Sequence, residues 1–315
     1  METLFNAVAG IDVHQAKLTI TTLVGSDSKK IQKTTWECST YTDDLVEAAK
    51  KIKSLGVVEV AMESSGIYWR PVYNIWSKMG LKITLGNAYH IKNVPGRKTD
   101  AKDSEWLANL HMNGLIRPSY IPEEEFRVLR ELTRHRGNLL SNIIDVKNRL
   151  QRVLEDGNIK LQSAITDIFG VAGRKVLTAI LSGENDALKL AEFVDTNVKA
   201  KKEVIRKSLT HRLTESNLFC LKQLYSQLLY LEHLLQELQN EIDQKMKPYA
   251  EFIKKLDEIP GIDTKTAETI IAEATTRMEN FKDAKSFAAW SGVASGNNES
   301  AGKKKEQSAD TETPS

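Results

Sequence analysis

The sequence lacks several residues and patterns that define large classes of protein. It has two cysteines, Cys38 and Cys220, in 315 residues, too few for a disulfide framework or a multi-cysteine zinc site. No apolar run reaches the about 18 residues of a membrane span, and the N-terminus lacks the basic and apolar segments of a signal peptide. No Walker sequence is present, and no GxGxxG follows the first apolar segment. These absences favour a cytoplasmic protein without a mononucleotide cradle.

The composition is that of a folded protein with almost balanced charge. Lys and Arg number 44 against 42 Asp and Glu, which leaves a net charge of +2, and hydrophobic residues make up 41%. Regularly spaced Leu, Ile and Val exclude a disordered chain. The length is sufficient for about two domains.

The first 120 residues alternate between strand and helix patterns. This alternation predicts an α/β domain with a mixed sheet and helices packed on it. The predicted strands are 7–13, 17–24, 57–62 and 82–85, and the predicted helices are 42–55 and 67–79.

Residues 121–255 read as long helices. Apolar residues from Leu129 to Leu154 form one stripe, and a second stripe runs from Leu221 to Ile242 with an unbroken 3-4-3-4-3-4 spacing. Such heptads predict a coiled coil that pairs with the first long helix or across a dimer. An amphipathic helix packed within its own chain is the alternative.

A small helical region is predicted for 256–305, followed by a disordered tail at 306–315. Its opening segment, 259–262 (IPGI), resembles a helix-hairpin-helix, although Asp263 replaces the second glycine and would repel a phosphate. Two short helices are predicted near 264–273 and 284–290.

Four carboxylates stand at positions where a site could form. Asp12 lies within a β-branched strand, and Glu63 follows the strand 57–62 at the kind of sheet edge where ligands gather. Asp100 and Asp103 have the i, i+3 spacing that places two side chains on one helix face. Taken singly, each has an ordinary explanation: a solvated strand end, a solvated turn, or helix capping.

Taken together, the four carboxylates are candidates for a centre that binds two Mg²⁺ ions. Mg²⁺ prefers oxygen ligands and retains several waters, so few carboxylates are required. Two such ions can stabilise the attacking and leaving oxygens of a phosphoryl displacement.

The sequence resembles the DEDD transposases of bacterial insertion sequences, the family that also includes the Piv DNA invertase. The resemblance extends over about 1–305, with the motifs in order. The segments that carry it are 10–14 (GIDVH), 62–66 (MESSG), 98–103 (KTDAKD), 259–262 (IPGI), 289–294 (AWSGVA) and 297–303 (NNESAGK).

The resemblance implies a ribonuclease-H-like, RuvC-like catalytic domain joined by a coiled coil to a C-terminal transposase domain. It implies an acidic tetrad that binds Mg²⁺, formed by Asp12, Glu63, Asp100 and Asp103, and a serine nucleophile, Ser300, in the pattern Ser-x-Gly-Lys. DNA, a structured noncoding guide RNA and further copies of the chain, in a dimer or higher oligomer, are the implied partners. From the residues alone, Ser300 is a loop serine with no nearby base to activate it.

A local excess of basic residues supports contact with nucleic acid. The stretch 126–152 has a net charge of +5, and further cations flank the carboxylates and Ser300. An ordinary solvated helix face is the alternative. The candidates for phosphate contact are Arg97, Lys98, Arg127, Arg130, Arg134, Arg136, Lys147, Arg149, Arg152 and Lys303.

The sequence departs from the family after Ser300. A basic, glycine-containing stretch and further helices are expected there, whereas this chain continues with three lysines and a polar tail. We therefore expect a transposase truncated at its C-terminus, whose activity is in doubt. The rival functions are a metal nuclease of the Holliday-junction type and a non-catalytic dimeric remnant that binds nucleic acid.

Overall fold

The computed structural model describes most of the chain. The described residues are 3–25, 30–64, 66–94, 103–163, 165, 167–194, 199–210, 212–278, 281–291, 299–300 and 303–304. The chain forms two compact units, one of residues 1–121 with 295–315 and one of residues 122–294.

A mixed sheet forms the centre of the first unit. Within the described residues its five strands are β1 (Ala7–Val13), β2 (Lys17–Val24), β3 (Gln32–Ser39), β4 (Glu59–Glu63) and β5 (Lys82–Gly86). Their order is β3-β2-β1-β4-β5, with β1, β2 and β3 antiparallel and β1, β4 and β5 parallel. Two further strands, β6 (Glu299–Ser300) and β7 (Lys303–Lys304), pair separately as an antiparallel ladder. The predicted mixed α/β sheet is confirmed.

Helices cover both faces of this sheet. The helices are α1 (Thr42–Ser54), α2 (Trp69–Lys78), α3 (Ala88–Lys92) and α4 (Asp103–Met112). On one face Ile11, Ile20 and Met62 pack with α1 and α2 around the fully buried Trp76, whose indole donates to the carbonyl of Leu45 at 2.8 Å. On the other face α4 packs against β1, β2 and β4.

The described part of the second unit is helical. Its helices are α5 (Glu124–Asp156), α6 (Val171–Leu181), α7 (Ala187–Glu192), α8 (Lys199–Leu209), α9 (Glu215–Met246), α10 (Ala250–Asp257), α11 (Thr264–Ala274) and α12 (Ala284–Trp290), with short 3-10 turns at Leu161–Ser163 and Lys247–Tyr249.

The two long helices, α5 and α9, pack antiparallel. Leu221 and Leu228 of α9 share a core with the C-terminal half of α5, whereas Ile242 and Met246 pack near Phe126 at the N-terminal end of α5. The leucine seam is therefore buried against α5 within the chain, which agrees both with a coiled coil formed with the first long helix and with the alternative of an amphipathic helix packed within its own chain. A supercoiled geometry and a dimer seam stay predictions.

Strand β3 and helices α6 to α8 were not predicted from the sequence. β3 is an edge strand with alternating exposed polar residues, and among the residues that the structure describes it pairs with β2 alone. Among the described residues, no helix is long and apolar enough to cross a membrane.

Candidate active site

Two carboxylates lie side by side at one edge of the sheet. β1 and β4 run parallel, and Ile11 is the last residue of β1 in the paired register, opposite Met62. The next residues, Asp12 and Glu63, therefore reach the same level at the carboxyl ends of neighbouring strands. Each is also paired with the strand on its other side, so both backbones are fixed.

Both carboxylates share the sheet face that α4 covers. Side chains alternate along a strand, so Asp12 lies on the same face as Gly10. A Cβ added to Gly10 would overlap the backbone carbonyl oxygen of Ser104 and the backbone nitrogen of Ala108, which places α4 directly on β1. In β4, Ala61 precedes the second carboxylate by two residues and packs against α4.

A buried hydrogen bond fixes the first turn of α4 on the sheet. The hydroxyls of Thr21 and Ser104 lie 2.8 Å apart, and both residues are fully buried. Lys33 of β3 also pairs with Glu105 at 3.0 Å. Because Asp103 immediately precedes Ser104, these contacts hold its backbone at this end of the sheet, and its side chain is exposed.

Asp12 has a histidine as its immediate neighbour. Nε2 of His14 lies 3.1 Å from Oδ2 of Asp12, and the side chains are 58% and 27% exposed, respectively. In the next strand, Thr19 pairs with Asp12 and donates to Oε1 of Glu37 at 3.4 Å. The Asp12 carboxylate is thus half-buried, and it lies in a row of polar side chains, Asp12, Thr19 and Glu37, that crosses β1, β2 and β3.

The described residues contain only part of the predicted tetrad. Asp100, with Arg97 and Lys98, lies in the segment 95–102, outside the described residues. Within the described ranges, no group of three or more His, Cys, Asp or Glu is close enough to hold a metal ion. The donor chemistry of Asp12 and Glu63 does fit Mg²⁺, since both present carboxylate oxygens on one face at one level.

Ser300 lies in a two-residue strand. Its backbone pairs with that of Lys303 across the β6–β7 ladder, so the two residues are neighbours in the main chain. Their side chains lie outside the described part of the structure. The ladder brings the predicted nucleophile and the predicted phosphate contact together at the backbone level.

Several predicted phosphate contacts on α5 form ion pairs within the second unit. Arg134 pairs with Glu273, the side chain of Arg136 is buried against Glu268, and Lys147 lies 3.9 Å from Glu232. Arg130 also lies at the end of α11, 3.5 Å from the Glu273 carboxylate, and Arg127 is half-buried.

Two arginines near the end of α5 have a different environment. Arg149 and Arg152 are exposed, and neither forms an ion pair with a residue that the structure describes. Arg152 lines a surface groove of about 350 Å³ with Asn148, Gln151 and Glu155. These two guanidinium groups remain available to a phosphate.

Sequence reasoning missed three residues beside the candidate site. His14 follows the end of β1 directly, and its i, i+2 spacing from Asp12 in extended chain indicates a shared face and could have found the histidine. Glu37 and Lys33 belong to the unpredicted strand β3, so their positions opposite Thr19 and beside α4 could not have been deduced.

Two family models match the chain. One, a model of DEDD transposases of the IS110 type with the description "Transposase", matches residues 9–159. The other, "Transposase IS116/IS110/IS902 family", matches residues 253–311. The two matches occur in order and include Asp12, Glu63, Asp103 and Ser300.

Solved structures of RuvC from Thermus thermophilus have a remote similarity to the chain. The free protein is 14% identical with a TM-score of 0.25, and the match covers 36% of this chain and 83% of RuvC. The complex of T. thermophilus RuvC with a Holliday junction substrate is 14% identical with a TM-score of 0.24, covering 37% and 84%. No curated protein matches the chain significantly.

Proposed function

Because this chain belongs to the IS110 family of DEDD transposases, we propose that it cuts and rejoins DNA phosphodiesters with an acidic centre and a serine nucleophile. We assign its mixed five-stranded sheet domain to the ribonuclease-H-like, RuvC-like type that the resemblance implied. The observation that carries the proposal is the placement of Asp12 and Glu63 at one level of neighbouring parallel strands, on the face where α4 begins with Asp103.

In the proposed centre, Asp12, Glu63, Asp100 and Asp103 hold Mg²⁺. When bound, the metal supplies stabilisation of the negative charge on the attacking and leaving oxygens. The protein contributes the fixed backbones of β1, β4 and α4, which set the directions of three of the carboxylates. His14 donates to Asp12 and orients its carboxylate.

The proposed nucleophile is the hydroxyl oxygen of Ser300. It attacks a DNA phosphorus, forms a phosphoserine ester with one end of the strand, loses its proton to water, and releases the other end as a free hydroxyl. A hydroxyl of a second strand then attacks the ester, which frees Ser300 and rejoins the DNA. The number of phosphodiester bonds is conserved, so no external energy source is needed.

The proposed partners follow from the same family membership. They are donor and target DNA, a structured noncoding RNA that selects them, and further copies of this chain. Exposed Arg149 and Arg152 support a phosphate contact outside the catalytic centre. We assign the reaction to the cytoplasm, where bacterial DNA is found.

The test compares two variants for DNA cleavage and for a covalent protein–DNA adduct. Asp12→Asn keeps the shape of the side chain but weakens metal ligation, so cleavage should fall by at least about 100-fold while DNA binding persists. Ser300→Ala should remove the adduct that is resolved on a denaturing gel. Retained cleavage in Asp12→Asn would exclude Asp12 from the centre.

The same gel separates the rival functions. Metal-dependent cleavage without an adduct, unchanged in Ser300→Ala, would identify a nuclease that uses water as the nucleophile. Salt-sensitive DNA binding without any metal-dependent product would identify a non-catalytic binding protein.

A further inference from the structure

Arg130 on α5 caps the C-terminal end of α11. Its Nε donates to the carbonyl oxygen of Ala272 at 3.0 Å, and its Nη2 donates to the carbonyl oxygen of Glu273. Both carbonyls lie in the last turn of α11, where backbone acceptors lack partners within the helix. The partial negative charge of that helix end also favours a cation.

Arg134, one turn further along α5, binds the same end of α11 through the side chain of Glu273. Its Nε and Nη2 donate to the two carboxylate oxygens of Glu273 at 2.7 and 3.0 Å. This two-point geometry is the strongest form of an arginine–carboxylate pair. Hydrogen bonding to Glu273 raises the pKa of the Arg134 guanidinium above its ordinary value, so the arginine stays charged.

Arg136 fixes the first half of α11. It forms an ion pair with Glu268, and each side chain is only 5% exposed. Its remaining donors reach the carbonyl oxygen of Lys265 at 2.8 Å and the hydroxyl of Thr269 at 3.0 Å. A further bond of 3.0 Å to Gln239 ties the same guanidinium to α9.

These three contacts matter because the apolar face of α11 is small. Ile271 and Ala272 are its members in the core shared with α5 and α9. Small apolar side chains allow a helix to slide or rotate at little cost, whereas charged hydrogen bonds from arginines to defined acceptors at both ends of α11 permit one register. The three arginines therefore select one register of α11 against α5 and α9, which apolar packing alone does not select.

We infer that Arg130, Arg134 and Arg136 are positioning residues, which hold α11 in one register against α5 and α9 and so fix the start of the segment that continues through α12 to Ser300. Three of the seven basic residues of the stretch 126–152, namely Arg130, Arg134 and Arg136, thus form an internal clamp on α11, whereas Arg149 and Arg152 contact DNA. The part of this inference that concerns Ser300 rests on the proposed function, and the register of α11 does not.

The test uses the charge swap of one pair. Arg134 is 36% exposed, so Arg134→Glu should fold, whereas loss of the buried Arg136 could unfold the chain. Placing Glu opposite Glu273 should accelerate hydrogen exchange of the α11 amides by about tenfold or more, equivalent to ~1.4 kcal/mol of local opening. The double variant Arg134→Glu/Glu273→Arg should return exchange towards the wild-type rate.

Two controls separate the clamp from a charge effect. Arg206→Glu makes the same change on α8, where Arg206 pairs only with Glu203 among the described residues, and it should leave exchange in α11 unchanged. Arg134→Lys keeps the charge but cannot form the two-point bond, so it should give an intermediate exchange rate.

DNA measurements complete the test. For Arg134→Glu, we expect the rate of adduct formation at saturating DNA to fall at least about tenfold, and the salt dependence of DNA binding to equal that of Arg206→Glu. The double variant should regain adduct formation. Wild-type exchange in Arg134→Glu together with a reduced salt slope would instead make Arg134 a phosphate contact and overturn the inference.

The two proposals fail separately. If the wild-type protein forms no adduct, the serine mechanism fails, and hydrogen exchange still decides whether the clamp exists. If exchange is unchanged by Arg134→Glu while wild-type adducts form, the clamp fails and the proposed function stands.

Discussion

At the scale of single residues, Gly10 controls how closely α4 approaches the candidate centre. Gly10 lies two residues before Asp12 on the same sheet face, and its missing Cβ leaves room for the backbone of Ser104 and Ala108. The helix backbone cannot yield as a flexible side chain would. A methyl group here would therefore displace the start of α4, where Asp103 lies.

We predict that Gly10→Ala lowers the free energy of unfolding by ~1–3 kcal/mol, the usual cost of overpacking. The matched control is Gly137→Ala in α5, because a Cβ at Gly137 meets no atom within 4 Å. There the same change should stabilise by about 0.5–1 kcal/mol through helix propensity. Urea unfolding measures both; a destabilisation of equal size in the two variants would contradict the packing argument.

His111 gives stability a pH dependence. It is 3% exposed beside Phe5, and burial lowers the pKa of its imidazole, although Glu59 opposes that shift. Between the lowered folded pKa and the ordinary value of about 6.5, the unfolded chain binds more protons. The contribution of neutral His111 is thus complete above about 6.5 and is lost as the pH falls through the folded pKa.

We predict that His111→Leu reduces the loss of stability between pH 7.5 and 5.5, because it removes the group that must remain neutral. The urea midpoint of each protein at both pH values measures this change. His233→Leu is the control, since His233 is exposed on α9. An identical pH dependence for His111→Leu and the wild type would assign the acid sensitivity to other groups.

Residues that belong to a strand end were predictable from the sequence, and residues paired over long distances were not. Asp12 and Glu63 were found because hydrophobic strands precede or surround them. The burial of Arg136 could not be foreseen, since its partner Glu268 lies 132 residues away and charged residues are rarely buried. The sequence does not distinguish the basic residues of α5 from one another. Only the fold shows which of them form ion pairs within the unit and which are exposed.

At the scale of elements, the regularity of the apolar spacing and the length of a helix or strand decided whether it could be predicted. α5 and α9 are long enough for their apolar spacing to be unambiguous, and both were found. β3 escaped because an edge strand has one paired side and keeps polar residues such as Lys33 and Glu37.

The α9 seam provides a direct test at this scale. Leu228 is fully buried in the core shared with α5, whereas its neighbour Leu229 is 46% exposed. We predict that Leu228→Ala lowers the free energy of unfolding by ~2–5 kcal/mol, and that Leu229→Ala changes it by less than about 0.5 kcal/mol. Chemical unfolding at several protein concentrations measures both.

The concentration series also distinguishes the two predicted pairings of the seam. Packing against α5 within one chain gives an unfolding midpoint that is independent of concentration. A midpoint that rises with concentration, and does so less in Leu228→Ala, would place the seam between two copies of the chain.

At the scale of the whole molecule, the net charge of +2 conceals the surfaces that matter. Ion pairs within the second unit occupy several basic residues of the stretch on α5, Arg127 is half-buried, and Arg149 and Arg152 are exposed. We predict that Arg149→Ala/Arg152→Ala weakens DNA binding and lowers the slope of log affinity against log salt by about 2, roughly one for each phosphate contact.

Affinities measured across a range of salt concentrations test that expectation. Arg206→Ala is the control, because it removes a half-buried arginine that already has a carboxylate partner, Glu203. A slope that falls equally in the control would indicate a diffuse charge effect instead of two defined contacts.

The antiparallel pairing of α5 with α9 has a consequence for how the protein is made. All five strands of the sheet precede residue 122, so that unit can fold as soon as it leaves the ribosome, apart from its C-terminal segment. α5 emerges next, but its partner seam is complete only at Met246. At ~5–20 residues per second, the apolar face of α5 is exposed for on the order of ten seconds in each round of synthesis. Chaperone binding and misassembly on the ribosome should therefore concentrate in that interval.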